Sequence, residues 1–327
     1  MDYGKILKRA WHTVWRYRAL WIFGAILALT TGGGGRNWLQ YTFNREDWPP
    51  GVRPGQIPPG VMSTLIAIVI GLAFLAVVFI VAAAVARYVS ETALIRMVDE
   101  HEQTGQQHSV RQGFRMGWSS AAWRLFLIDL LVGVPVALAF ILLFLLAAAP
   151  LLLWATRSTA AGALGTAITI GLGLLVILLA IVVGVILSAL MRFFRRVCVL
   201  ERRGVTESIR RGYLMVRQNV KDVAVLWLIM LGLGIGWGIL MIPVALLLLF
   251  LGAVLGGVPA LLAGVLANLA FGGAAPWIIG LAVGIPLFIV AVAGPLLFLG
   301  GLWEVFTSSV WTMTYRELHA RAKPIPA

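Results

Sequence analysis

The sequence predicts an all-α integral membrane protein: six transmembrane helices forming three parallel helical-hairpin repeats, each preceded by an amphipathic interfacial helix. Three observations lead there. Hydrophobic residues make up 61% of the 327 residues and charged residues 12%, against roughly 45–50% and 25% in an ordinary globular domain. The uncharged residues gather in runs long enough to cross a bilayer. One short pattern also returns three times along the chain.

A soluble fold of this length cannot hide so much apolar surface, because its own surface still needs polar cover. The solvent for most of the chain is therefore lipid. A bilayer core of about 30 Å takes about 20 apolar helical residues. On that measure the spans fall near residues 16–32, 61–86, 125–150, 165–191, 223–252 and 277–303, with an outer loop at 33–60. The first is short and follows a basic stretch, as a signal peptide does. Its long, Trp/Tyr-bearing lead-in recurs later in the chain, which favours a tilted span. In the fourth, Gly162 and Gly165 place the helix start near 165. The final uncharged run, 223–303, is punctuated by Gly256-Gly257-Val258-Pro259 and by Gly272-Gly273 before Pro276. These clusters isolate residues 258–272 as a re-entrant or interfacial piece.

Basic residues set the orientation. Twenty-two Lys and Arg fall in the two termini and the even-numbered connections, and four (Arg36, Arg45, Arg53 and Arg157) in the odd-numbered ones. Both termini then face the cytoplasm, and the location is the plasma membrane. Predominance of Arg over Lys, with much Ala, Gly and Leu, fits a GC-rich bacterial genome. The net charge of +13 is thereby topological, and no nucleic-acid partner follows from it.

The recurring pattern is Leu7-Lys8-Arg9-Ala10-Trp11, Val110-Arg111-Gln112-Gly113-Phe114 and Ile209-Arg210-Arg211-Gly212-Tyr213. It divides the single membrane domain into repeats 4–103, 104–203 and 204–320. Each unit crosses twice, so the copies keep one orientation. In the first copy Ile6, Leu7, Ala10, Trp11, Val14 and Trp15 share a helical face, opposite Lys5, Lys8, Arg9, His12 and Arg16. That is an amphipathic helix, lying in the membrane surface or packed on the protein's own helix ends. Ser109 and Thr206 suit N-caps of the second and third copies.

Candidate chemistry is sparse. His12, His101, His108 and His319 lie outside the spans with no metal-binding spacing, and the lone Cys198 excludes a disulfide framework. No HExxH, GxSxG or Walker-type sequence occurs. No cofactor is expected, and no catalytic site. The candidate buried polar residues are Asp129 and Glu304, both near the cytoplasmic ends of spans. Lys8, Arg9, Arg111, Arg202, Arg203, Arg210 and Arg211 are the candidate contacts for anionic lipid headgroups on the cytoplasmic side. The competing expectation pairs the third segment's cations with Glu91, Asp99 and Glu100.

Three stretches carry a resemblance: Met1-Asp2-Tyr3-Gly4 and then Ala10-Trp11 through Leu20-Trp21-Ile22-Phe23-Gly24, Leu200-Glu201-Arg202-Arg203-Gly204-Val205, and Val310-Trp311-Thr312-Met313-Thr314-Tyr315-Arg316. They resemble uncharacterised bacterial membrane proteins of the glycerophosphoryl diester phosphodiesterase membrane-domain family. The resemblance implies a membrane region that sits beside a catalytic barrel, whose His-Arg-Gly and paired-acid motifs are missing here. The reading that follows is a non-enzymatic membrane scaffold or lipid-interacting component. The alternatives are a transporter subunit for an apolar or lipid substrate, opening a cavity to lipid, and a membrane-embedded enzyme, converging charges on a pocket.

Overall fold

The computed structural model describes residues 1–31, 59–156, 158–270 and 272–321, and among them all regular structure is helical. In chain order the elements are α1 (Tyr3–Arg16), α2 (Ala19–Thr31), α3 (Pro59–Thr104), α4 (Val110–Gly117), α5 (Ser120–Ala148), α6 (Thr159–Leu200), α7 (Val205–Gln218), α8 (Val220–Ala270) and α9 (Ala275–Arg321). A short 3-10 helix, Ala149–Thr156, links α5 to α6. The helices α3, α5, α6, α8 and α9 are long and apolar enough to cross a membrane. Their apolar stretches are almost wholly unburied by protein, so leucine, isoleucine and valine cover their outer faces. Exposed apolar bands of this extent belong in an apolar solvent. The first expected span is the exception, because α2 has 13 residues and covers only about 20 Å. Arg36, Arg45, Arg53 and Arg157, and the expected outer loop up to residue 58, lie outside the described residues.

The chain divides into two compact units. The first comprises Met1–Tyr17, Thr92–Val244 and Phe306–Ala327. Its core lies where the polar ends of α3, α6 and α9 meet α1. Ile6, Ala10, Val14 and Tyr17 bury one side of α1, and Leu94, Met97, Phe193, Val197, Trp311 and Leu318 fill the space between the long helices. The Phe193 and Trp311 rings meet edge to face, 5.9 Å apart. Buried hydroxyls on α9 bond back one turn: Thr312 Oγ1 donates to the Ser308 carbonyl at 2.8 Å and Thr314 Oγ1 to that of Val310 at 2.7 Å. Arg196 is also buried, donating from Nη1 to the Arg192 carbonyl (2.8 Å) and from Nη2 to the Ser308 carbonyl (3.0 Å).

In the same unit α6 begins six residues earlier than its glycines imply. Gly162 and Gly165 lie inside the helix because the 3-10 segment folds back onto them. A β-carbon on Gly162 would stand 2.6 Å from the Trp154 ring, and one on Gly165 would meet the Pro150 carbonyl. Trp154 Nε1 donates to Thr166 Oγ1 at 3.0 Å, and Ser158 caps the start by accepting from the Ala161 N–H.

The second unit comprises Arg18–Glu91 and Ala245–Val305. Here α2 crosses α9 on small residues: Gly24 faces Gly301, Ala28 faces Gly300, and Trp21 meets Phe298 edge on at 5.2 Å. The hairpin of α8 and α9 closes in the same way. Gly256 and Ala260 of α8 lie against Gly284 and Gly280 of α9, and a β-carbon on Gly256 would sit 2.7 Å from the Gly284 carbonyl. This corrects the expected break at 256–259. The helix α8 is continuous from Val220 to Ala270, so residues 258–270 are its end rather than a separate piece. Gly256 is spent on close helix packing, and Pro259 gives up only one backbone hydrogen bond in a ladder that remains whole around it.

Candidate functional site: the polar cap

The chemistry-bearing side chains of the first unit gather at the polar ends of its helices. Each short amphipathic helix seats against the end of a long one. Arg9 of α1 pairs with Glu102 of α3, and the Trp11 ring meets Phe306 of α9 at 6.0 Å. Arg96 of α3 donates to the Met116 carbonyl of α4 at 2.8 Å. Gly212 of α7 presses on Phe194 of α6 so closely that a β-carbon would lie 2.6 Å from the ring.

Local sequence explains the starts of these helices. Asp2 caps α1 by accepting from the Lys5 N–H, and Ser109 and Gln112 form a reciprocal capping box on α4. The expected cap at Thr206 is not used. The link from α6 turns through Arg202 at φ 56° and reaches Gly204 in extended conformation, so Gly204 is the N-cap and Thr206 lies in the first turn of α7. Arg124 of α5 holds that link, donating Nη1 to the carbonyls of Arg202 (3.0 Å) and Arg203 (3.1 Å).

Tyr17 ends α1 and locks the loop between α3 and α4. Its buried hydroxyl accepts from the His108 N–H at 2.5 Å and donates to the His108 carbonyl at 3.1 Å, while its ring lies 5.3 Å from that of His101. Burial pushes its pKa up. Tyr315 is buried too and donates to Glu201 Oε1 at 2.7 Å; desolvation first, and Glu201 second, push its pKa well above the ordinary tyrosine value. Glu201 is the hub of the α6–α7–α9 side. It also takes Arg211 Nη1 at 3.1 Å, Arg203 Nε at 3.9 Å and the His319 ring at 3.9 Å.

The carboxylates of this unit are all committed. Asp99 faces Arg316 at 3.4 Å and accepts from Gln103, and Glu100 faces His108 at 2.6 Å. Glu207 pairs with Arg203 (3.1 Å) and Arg211 (3.2 Å), and Glu317 with Arg321 at 2.6 Å. Asp222 accepts from the Tyr3 hydroxyl at 2.6 Å, and Asp129 takes Arg195 in a two-pronged pair. The cations are not matched in return. Lys8, Arg111, Arg115, Arg202, Arg210, Arg217 and Lys221 are exposed and make no ion pair among the described residues. The site residues expected from sequence therefore split. Lys8, Arg111, Arg202 and Arg210 present free charge, whereas Arg9, Arg203 and Arg211 are held in ion pairs within the cap. Within residues 192–221, Arg203 and Arg211 pair with Glu201 and Glu207 and Arg195 with Asp129, while Asp99 is taken by Arg316 and Glu100 by His108.

Of the two buried polar candidates, Asp129 joins α5 to α6 through Arg195, and Glu304 lies half-buried on α9 in the second unit. A cleft of about 400 Å³ opens between α1, α3 and α9, lined by Asp2, Lys5, Arg9, Glu102, Arg316, Glu317 and Arg321. Its charges alternate in sign, so it concentrates neither. Among the described residues no cluster of His, Cys, Asp and Glu has the makings of a metal site. The four histidines instead lie against Arg16, Tyr17, Glu100 and Tyr315. Cys198 is buried, and burial pushes its thiol up.

Sequence reasoning missed Glu201 as a hub and Tyr17 as a clamp. Tyr17 stands in no motif and Glu201 only in a stretch quoted for its resemblance, and the Tyr17–His108 and Glu201–Tyr315 bonds span 91 and 114 residues. No curated protein matches the chain, and no solved structure does. A family model does, over residues 14–312, a stretch that holds the second and third copies of the short pattern. On that match the chain belongs to the family described as "Family of unknown function (DUF7544)".

Proposed function

We propose that this is a multi-pass protein of the plasma membrane whose polar cap faces the cytoplasm and engages anionic lipid headgroups, acting as a membrane scaffold with no catalytic site of its own. The observation that carries this reading is the unbalanced charge of the cap. Its acids are consumed internally, and Lys8, Arg111, Arg115, Arg202, Arg210, Arg217 and Lys221 remain exposed without acidic partners. Each such residue near an anionic surface contributes about 1 kcal/mol, falling away within a Debye length of about 8–10 Å. Burial on the short helices supports the same reading. In each copy of the repeated pattern the small residue is buried (Ala10, Gly113, Gly212) and the aromatic one is exposed (Trp11, Phe114, Tyr213). One side of each helix thus seats on protein, and its aromatic edge is left for the headgroup layer.

The arrangement of six spans in three repeats belongs to this proposal. It takes α2 as the first crossing, which asks the bilayer to thin around a 13-residue helix. Single-cysteine labelling in a Cys198→Ala background tests the orientation: cysteines at 8, 202 and 321 react only from the cytoplasmic side, and those at 45 and 157 from outside. External reaction at 202 overturns it. The lipid reading is tested with the full chain carrying Lys8→Gln, Arg111→Gln, Arg202→Gln and Arg210→Gln. Native mass spectrometry in mild detergent should show fewer phosphatidylglycerol molecules retained than in the wild type, with phosphatidylcholine unchanged. Equal phosphatidylglycerol retention in the folded variant sinks the reading.

A further inference from the structure

A groove of about 410 Å³ lies in the first unit where α7 turns into α8 across the flank of α6. Its walls are Ile186 and Ala189 of α6, with Val223, Ala224, Trp227 and Leu228 of α8. The turn that forms it is a single residue. Asn219 caps α7, donating its N–H to the Val216 carbonyl and its side-chain amide to the Met215 carbonyl, and α8 begins at Val220. So abrupt a bend holds α7 across the end of the α6–α8 pair, while Gly212 on Phe194 fixes its height. The apolar walls reach one turn of α7, where Tyr213 and Arg217 form the rim. Arg217 is exposed and makes no ion pair among the described residues, and neither does Lys221 four residues on.

Apolar walls below and an uncompensated guanidinium with a phenol at the mouth define one kind of ligand. We infer that this groove is a specific site for one anionic phospholipid, with an acyl chain between α6 and α8 and its phosphate on Arg217 and Tyr213. A neutral amphiphile would leave Arg217 unmatched. A soluble anion would leave the exposed apolar walls of Ile186 and Leu228 uncovered. The inference rests on the proposed membrane setting of the cap, yet it concerns a single retained lipid rather than the surface as a whole.

The test uses the full chain, exchanged in mild detergent into an equimolar mixture of phosphatidylglycerol and phosphatidylcholine and followed by native mass spectrometry under increasing collisional activation. The wild type should keep one phosphatidylglycerol after the loosely held lipid has left. Arg217→Gln should lower the occupancy of that last lipid roughly five-fold, the ratio that one headgroup cation supplies, and Arg217→Lys should restore most of it. Ala224→Trp, at an exposed position, fills the groove and should abolish it, with size-exclusion elution confirming the fold. The cap variant at positions 8, 111, 202 and 210 should lose surface lipid and keep this one. Failure of the cap reading therefore shows in that variant alone. Persistence of the retained lipid in Ala224→Trp, or equal retention of the two lipids by the wild type, overturns the groove.

Discussion

Arg195 on α6 grips Asp129 on α5 with two nitrogens: Nη2 lies 2.9 and 2.8 Å from the two carboxylate oxygens, and Nε lies 3.2 Å from the first. Both side chains are about four-fifths buried, at 19% and 18% exposure. Removing one partner of a pair so placed strands the other, which costs more than the pair contributes net. Asp129→Asn should therefore destabilise the protein by about 3 kcal/mol, read as a clear fall in the detergent melting temperature. Asp129→Leu with Arg195→Met should recover much of the loss. An Asp129→Asn protein that melts with the wild type would show the pair to be idle.

The small-residue crossing of α8 and α9 makes a paired prediction. Gly256→Val pushes a side chain into the Gly284 carbonyl and should open the hairpin, lowering thermal stability markedly. Its neighbour Gly257 faces open space, so Gly257→Ala should be neutral or stabilising by up to about 1 kcal/mol. Melting curves of the two variants, compared side by side, check it. A similar loss in both would mean that helix continuity, and not close approach, is what the glycines serve.

These glycines also show where sequence reading succeeds and where it stops. Amphipathic spacing was enough to find α1, α4 and α7, because one-sided burial leaves its period in the residues themselves. Gly256 to Pro259 read as a break because glycine and proline interrupt helices in water. In an apolar stretch an intact backbone ladder matters more, and the same residues serve packing. Asp129 stood out as a lone acid, but its partner 66 residues away did not. Nor could any periodicity divide Lys8 from Arg9 or Arg210 from Arg211. Which of two adjacent cations is neutralised depends on whether Glu102 or Glu201 is brought within reach by the fold.

Tyr17→Phe removes the one group that satisfies both the N–H and the carbonyl of His108. The expected cost is about 1–3 kcal/mol, with faster amide hydrogen exchange confined first to residues 105–109. Exchange unchanged in that loop would deny Tyr17 its role as a clamp.

Tyr315 gives a pH prediction. Its pKa is higher in the folded protein than in the unfolded chain, so the stability it lends is complete below about pH 10 and is lost as the pH climbs beyond that value. At pH 7.5, Tyr315→Phe should be less stable than the wild type, having lost the bond to Glu201. Above pH 10 the gap should narrow, because only the wild type must keep a buried phenol neutral. Melting temperatures of both proteins across that interval decide it; a constant gap contradicts the assignment.

The uninterrupted length of α6 has a mechanical consequence. Forty-two residues at about 1.5 Å each make a rod of about 63 Å, twice the hydrocarbon thickness of about 30 Å. Tilting such a rod by roughly ten degrees about its far end swings the near end by about 10 Å. Phe193, Arg196 and Glu201 ride on that near end and are fastened to Trp311, Ser308 and Tyr315. In the membrane setting proposed above, a change in bilayer thickness that tips α6 would drag the polar end of α9 with it and turn lateral pressure in the lipid into leverage on the Glu201 junction.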